Sequence, residues 1–255
     1  MRTKLTILAA AAAIALTAAP IQAMTVDEII AKNVEARGGK DKLAAVKSAT
    51  AHGRMTVGPG MESAFRMRWK KPSKVRIEFT LQGMTGIQAF DGSTGWQVMP
   101  FLGKNDAEKM NEEDLKNIEE NADFDGPLVD YKSKGHQVEL LGKEAMEGTE
   151  AYKLKLTKKD GDVSTIFLDA EAFLEIKIQG KRKIQGMEME FETVIGDYKD
   201  VGGLLLPHSI ENKAQGMPGA QVITFEKYEV NVEVPDSDFA MPAPAPAAAA
   251  EPAKP

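Results

Sequence analysis

The chain has 255 residues, with 32 Lys and Arg against 38 Asp and Glu, a net charge of −6. That acidic balance argues against the phosphate backbone of DNA or RNA as the main partner. With no cysteine in the sequence, there is no thiol for a disulfide, a thiolate metal site or a lipid anchor.

Residues 1–23 read as a cleaved secretory signal: Arg2 and Lys4 form a basic start, Leu5 to Ala19 an alanine-rich apolar run, and Ile21-Gln22-Ala23 a cleavage site before Met24. The run is short for a bilayer span, and no later segment reaches the roughly 18 to 20 apolar residues that a transmembrane helix needs. The expectation is a bacterial periplasmic protein without a lipid anchor. Removing the signal, which carries two basic residues and no acid, moves the net charge from −6 to −8. Residues 24–240 are expected to form one domain, large enough to bury a core.

The mature chain opens with a helix. Thr25 and Glu28 make a capping box, Val26, Ile29, Ile30 and Val34 recur at helical spacing, and Gly38-Gly39 ends the run. A short helix over Asp41 to Val46 follows, and then the period shifts from 3.6 to 2.

In residues 63–70, Phe65, Met67 and Trp69 alternate with Arg66, Arg68 and Lys70, so one face is apolar and the other basic. Val75, Ile77, Phe79 and Leu81 repeat the pattern after a turn at Pro72-Ser73. It returns in Tyr152 to Leu156, Leu174 to Ile178 and Met187 to Phe191, and turn signals at Asp91-Gly92, Asp160-Gly161, Gln185-Gly186 and Gly202-Gly203 punctuate the chain. About a dozen short strands in an antiparallel meander are predicted. Residues 105–123 interrupt it with an amphipathic helix, N-capped by Asn105 or Asp106 and carrying Met110, Leu115 and Ile118 on one side. A second helical piece is predicted around Pro127 to Lys134. From Met241 to Pro255 the chain is Ala/Pro-rich, and it reads as a disordered spacer.

The residues do not compose a catalytic or metal site. His52, His136 and His208 lie far apart, and none falls in a metal-binding spacing. Ser93, in Gly92-Ser93-Thr94-Gly95, lacks the order of a nucleophile elbow and reads as a hairpin turn. The distinctive feature is apolar accumulation: 12 of the 13 methionines follow the signal, and Met55, Met67, Met99, Met187 and Met189 fall on the apolar faces of strands. Methionine is flexible and polarisable, which suits a surface that accommodates acyl chains. Phe65, Met67, Trp69, Ile77, Phe79, Trp96, Met187 and Phe191 are therefore predicted to line a common apolar cavity, with Met110, Leu115 and Ile118 as its lid.

The runs Phe65-Arg66-Met67-Arg68-Trp69-Lys70-Lys71-Pro72, Val75-Arg76-Ile77-Glu78-Phe79, Phe90-Asp91-Gly92-Ser93-Thr94-Gly95-Trp96 and Pro100-Phe101 together resemble the core pattern of the LolA-like family of periplasmic outer-membrane lipoprotein carriers. The likeness continues through Leu168-Asp169-Ala170 and Gly203 to His208, and reaches about Phe239. It implies a mainly β fold with helices (α+β), an incomplete antiparallel β-barrel or half-barrel with a helical lid over its concave apolar face. It also implies a monomeric, cofactor-free and non-enzymatic carrier of the acyl chains of a lipoprotein or lipid, handed between membrane donor and acceptor proteins. The carriers place arginine before the proline of their R-P motif as a lid latch. Here Lys71 holds that position, a point charge in place of a planar fork. Two other readings stay open: a sensory or regulatory binding protein on the same scaffold, as among envelope-stress regulators, and a periplasmic hydrolase.

Overall fold

The computed structural model describes residues 24–58, 61–146, 148–184, 186–216 and 219–243. The signal expected over 1–23, Gln185 of one turn signal and all but the first three residues of the tail lie outside the described residues.

Helix α1 (Val26–Ala36) begins as its sequence requires, with the Thr25 side chain and Glu28 capping each other's backbone N–H groups. Its end is set by Gly38, which lies so close to Gly203 O that a Cβ there would sit 2.4 Å away. The helix is thereby docked on the sheet. Helix α2 (Lys40–Ala45) follows directly.

Thirteen strands among the described residues then form one antiparallel sheet. In chain order they are β1 (Ser48–Gly58), β2 (Met61–Lys70), β3 (Lys74–Leu81), β4 (Met84–Phe90), β5 (Gly95–Met99) and β6 (Lys104–Lys109), then, after helix α3 (Glu112–Ala122), β7 (Gln137–Met146), β8 (Thr149–Thr157), β9 (Val163–Asp169), β10 (Glu175–Ile184), β11 (Met187–Val201), β12 (Leu204–Ala214) and β13 (Gln221–Val230). Spatial order runs β6-β5-β4-β3-β2-β1-β13-β12-β11-β10-β9-β8-β7, so two meanders are joined where β1 pairs with β13. The end strands β6 and β7 do not pair with each other. The result is an open half-barrel rather than a closed one.

Helices cover its concave face. Ile29 and Ile30 of α1 pack with Leu128 and Tyr131 onto Val138, Leu154, Leu156, Ile166 and Leu168, a filled core under the second meander. Ile118 and Ala122 of α3 pack onto Phe65, Met67, Trp69, Val75, Phe90 and Phe225 under the first.

Two expectations about helices are corrected. Residues 104–109 form strand β6, which pairs with β5 after a left-handed turn at Gly103, so α3 starts later, at Glu112. Its N-cap is Asn111, whose side chain accepts from Asp114 N at 2.8 Å. Residues 127–134 form turns rather than a helix.

The outer face carries a strap. After β13, residues 231–240 run back across β1 to β5, fixed by Asn231 N–H on Ser48 O and by the Trp96 indole N–H on Phe239 O at 2.7 Å. The basic row of β2 and β3 finds its counter-ions there and on β3 itself: Arg68 pairs with Asp238 of the strap and Glu78 of β3, Arg76 with Glu78, and Lys74 with Asp236 of the strap. Burial alone would raise the Glu78 carboxyl, but Arg76 and Arg68 outweigh it and hold it below the usual carboxylate range.

Candidate ligand-binding chamber

Alternation along the strands places Phe65, Met67 and Trp69 inward, all buried. The Phe65 and Phe225 rings meet edge to face at 5.7 Å, and Trp69 meets Phe124 likewise at 5.6 Å. Trp69 also donates its indole N–H to Asn121 O, which ties β2 to the C-terminal turn of α3. Ile77 packs against this cluster while staying partly exposed. Phe79, next on the same face, leans on Phe101 at 5.6 Å. Met55, Ile210 and Ile223 continue the partly buried row across β1, β12 and β13.

Three predicted residues do not join this cluster. Trp96 is wholly buried, but it faces the other way. Its neighbour Gly95 looks inward at Leu115, Met110 and Ile118, so Trp96 points outward beneath the strap, with Arg76 over its ring. Met187, at the β10–β11 tip, is 61 % exposed. Phe191 shares the inward face across the barrel, opposite Gly180, with the Arg182 guanidinium 4.0 Å from its ring centroid.

Helix α3 spans the opening, and its two attachments differ in kind. Met110, Leu115 and Ile118 converge on Gly95, where an added Cβ would lie 2.8 to 3.3 Å from their atoms, so attachment to the first meander is apolar and close. Attachment to the second meander is polar. Lys116 Nζ bridges Asp160 at 2.8 Å and Asp162 at 2.6 Å in the β8–β9 turn; Glu120 pairs with Lys158, and Asp123, just past the helix, pairs with Lys134 at 2.6 Å. Burial would lower the Lys116 ammonium, but Asp160 and Asp162 outweigh it and hold it above the usual lysine range. At the N-terminal turn, Glu113 accepts from Gly186 N on the β10–β11 tip at 3.1 Å. A cleft of about 760 Å³ opens beside this crossing, between Met99, Leu102 and Lys104 on one side and Asn111 to Asp114 on the other.

Lys71 is no free surface lysine. Its ammonium spends three donors, two on the Asp125 carboxylate at 2.7 and 2.6 Å and one on Leu43 O at 2.7 Å. Asp125 follows α3 and Leu43 belongs to α2, so this side chain of the β2–β3 turn joins two covering elements. Arg37, the C-cap of α1, donates to the Asp125 carbonyl at 2.6 Å. Neither Asp125 nor Arg37 was predicted. The interactions link positions 54 and 88 apart in sequence, a separation that carries no local signal.

An open antiparallel half-barrel, apolar within and crossed by a helix that is greasy on one side and ion-paired on the other, defines a LolA-like fold. Solved structures match it over most of their length. A LolA superfamily protein from Nitrosomonas europaea aligns with TM-score 0.58 at 15 % identity, covering 86 % of this chain and 98 % of that one. A candidate outer membrane lipoprotein-sorting protein domain from Vibrio parahaemolyticus gives 0.57 at 13 % identity, covering 82 % and 94 %. A DUF1329 family protein from Desulfovibrio piger gives 0.61 at 13 % identity, covering 84 % and 97 %. No protein-family pattern and no curated protein matches the sequence. The likeness therefore establishes the fold.

Proposed function

We propose that this protein is a periplasmic carrier that shelters acyl chains of a lipid or lipoprotein in the half-barrel and hands them towards the outer membrane, without catalysing a reaction. The observation that carries this reading is the row Met55, Ile77, Ile210 and Ile223, which packs against the core beneath α3 and stays partly exposed on the inward face. A pocket of apolar side chains with few polar groups is what an acyl chain requires. The cover over that row is fixed by ion pairs on one side, which form and break at small net cost. A carrier needs this property, since closed and open states that differ by only a few kcal/mol allow both retention and release. The names of the Nitrosomonas and Vibrio structures point the same way. A titration with a fluorescent fatty acid tests the proposal: saturable binding that competing unlabelled lipid displaces is the expected result. No saturable binding by folded protein would oppose it, and turnover of an ester substrate would favour a hydrolase.

A further inference from the structure

The large apolar side chains that this protein exposes to water gather at one end of the half-barrel. Among the described residues seven are exposed, and four of them, Met61, Met84, Leu102 and Met187, stand at that end, 36 to 68 % exposed. Register places them together. Gly58 opposes Met61, Leu81 opposes Met84, Met99 opposes Lys104 across the helical turn Pro100–Leu102, and Ile184 opposes Met187. The pairings of β1 with β13, β13 with β12 and β12 with β11 carry the same end from one meander to the other. At the opposite end the turns over residues 71–73, 91–94, 170–174 and 202–203 expose no large apolar side chain.

Two properties set this rim apart from scattered apolar groups on a surface. It is uncharged: residues 57–61, 81–86, 100–103 and 184–187 include no Asp, Glu, Lys or Arg, in a chain that is 27 % charged. It is also continuous with the interior. Met61 shares the inward face of Phe65 along β2, Met84 opposes Leu81 on the face of Phe79, and Met187 shares the face of Phe191 along β11. An apolar track thus runs from the chamber out to the rim. The cleft of about 760 Å³ opens there as well, with Leu102 on one side and Gly186 on the other.

We infer that this rim docks on a lipid bilayer, with Met61, Met84, Leu102 and Met187 entering its interfacial layer as separate anchors and the mouth of the half-barrel turned to the membrane. Exposed apolar groups rimmed in this way mark an interaction surface, and its charge selects the partner. A chain of net charge −6 is not drawn to anionic head groups, so attachment rests on immersed apolar area, and tips without charge avoid the cost of stripping water from an ion. The anchors sit on separate hairpins along a curved edge. A fluid bilayer receives each of them singly, and the flexible thioether of methionine adapts to acyl chains, whereas a protein partner needs one contiguous, shape-matched patch. The inference goes beyond the carrier reading, since it concerns where the molecule sits and not what the chamber holds.

The test is flotation of residues 24–255 with phosphatidylcholine vesicles, without added fatty acid. Native protein is expected to rise with the vesicles, to the same extent within about twofold at roughly 0.05 and 0.5 M salt. Met187→Gln and Leu102→Gln should each weaken vesicle affinity about fivefold, and the variant with glutamine at all four sites at least about a hundredfold. Leu141→Gln, which removes a leucine 51 % exposed on β7 and away from the rim, should bind as the native protein does. Native protein that stays behind in the soluble fraction would overturn the inference and leave the carrier reading to its own titration. Undiminished binding by the folded four-site variant, or an equal loss in Leu141→Gln, would overturn it too. Attachment that needs phosphatidylglycerol and vanishes in high salt would assign it to charge and overturn the apolar rim. A native dimer that the four-site variant turns to monomer, with no vesicle binding, would give the rim to a second copy of the chain instead. If the four-site variant does not fold, the two single variants at exposed positions decide.

Discussion

Replacing Lys116 by Gln should loosen helix α3 without unfolding the sheet. Lys116 makes two contacts with the β8–β9 turn, to Asp160 and Asp162, and the three side chains are 41 to 46 % exposed. Pairs this exposed contribute about 0.2–1 kcal/mol each after solvent screening, so the substitution should cost the crossing about 1 kcal/mol. That corresponds to an opening of α3 that is about fivefold more frequent. Hydrogen exchange over residues 112–122 measures it, with protection falling by about the same factor, while β1, β2 and β13, which do not touch Lys116, keep theirs. Raising the salt from roughly 0.05 to 0.5 M should have the same effect on the native protein and a smaller one on the variant, because the longest-range part of the attraction is screened. Identical exchange over α3 in both proteins at both salt concentrations would refute this role of Lys116.

Four further outcomes follow from the chamber and its surroundings. Leu115→Asp places a carboxylate against Gly95 and the apolar row, so fatty-acid affinity should fall at least tenfold while the far-ultraviolet spectrum is unchanged; equal affinity in the folded variant would make α3 a surface ornament. Lys71→Met leaves the Asp125 carboxylate without its cation and should lower stability to urea by about 1–3 kcal/mol. Lys71→Arg should instead hold the cover shut and weaken apparent fatty-acid binding, which tighter binding would refute. His136 lies on the loop leading into β7; its Nδ1 accepts from Lys159 N, and burial, then Lys134 and Lys158, hold its pKa below the ordinary histidine value despite Asp123 and Asp160. In the window just below about pH 6.5 the unfolded chain therefore binds more protons than the folded one, so stability present above that value is lost as pH falls through the window. Urea midpoints across this range should decline in the native protein and flatten in His136→Gln.

The alternation of β2 and β3 was readable because side-chain direction in a strand follows residue parity alone. Phe65, Met67, Trp69 and Ile77 therefore fell on the predicted face. Trp96 did not, because parity restarts at each turn. The Asp91 side chain accepts from Ser93 and Thr94 N–H groups, and the hairpin so formed pairs Phe90 with Gly95, which sets Gly95 inward and Trp96 outward. Nothing in the hexapeptide around that turn distinguishes one face from the other. Residues 104–109 were misread for a related reason: a short, charged edge strand has no apolar stripe, and its pairing to β5 is decided by the turn at Gly103. Lys71 was picked out by resemblance, and its partners lie in segments that only the closed fold brings near.

The central claim is that the half-barrel holds acyl chains, and the most direct measurement is mass spectrometry of small molecules extracted from protein purified out of its native cells. The account predicts amphiphiles in near-stoichiometric amount and their loss from Leu115→Asp. Native protein that carries no lipid, or the same trace lipids as an unrelated periplasmic protein prepared in parallel, would contradict it.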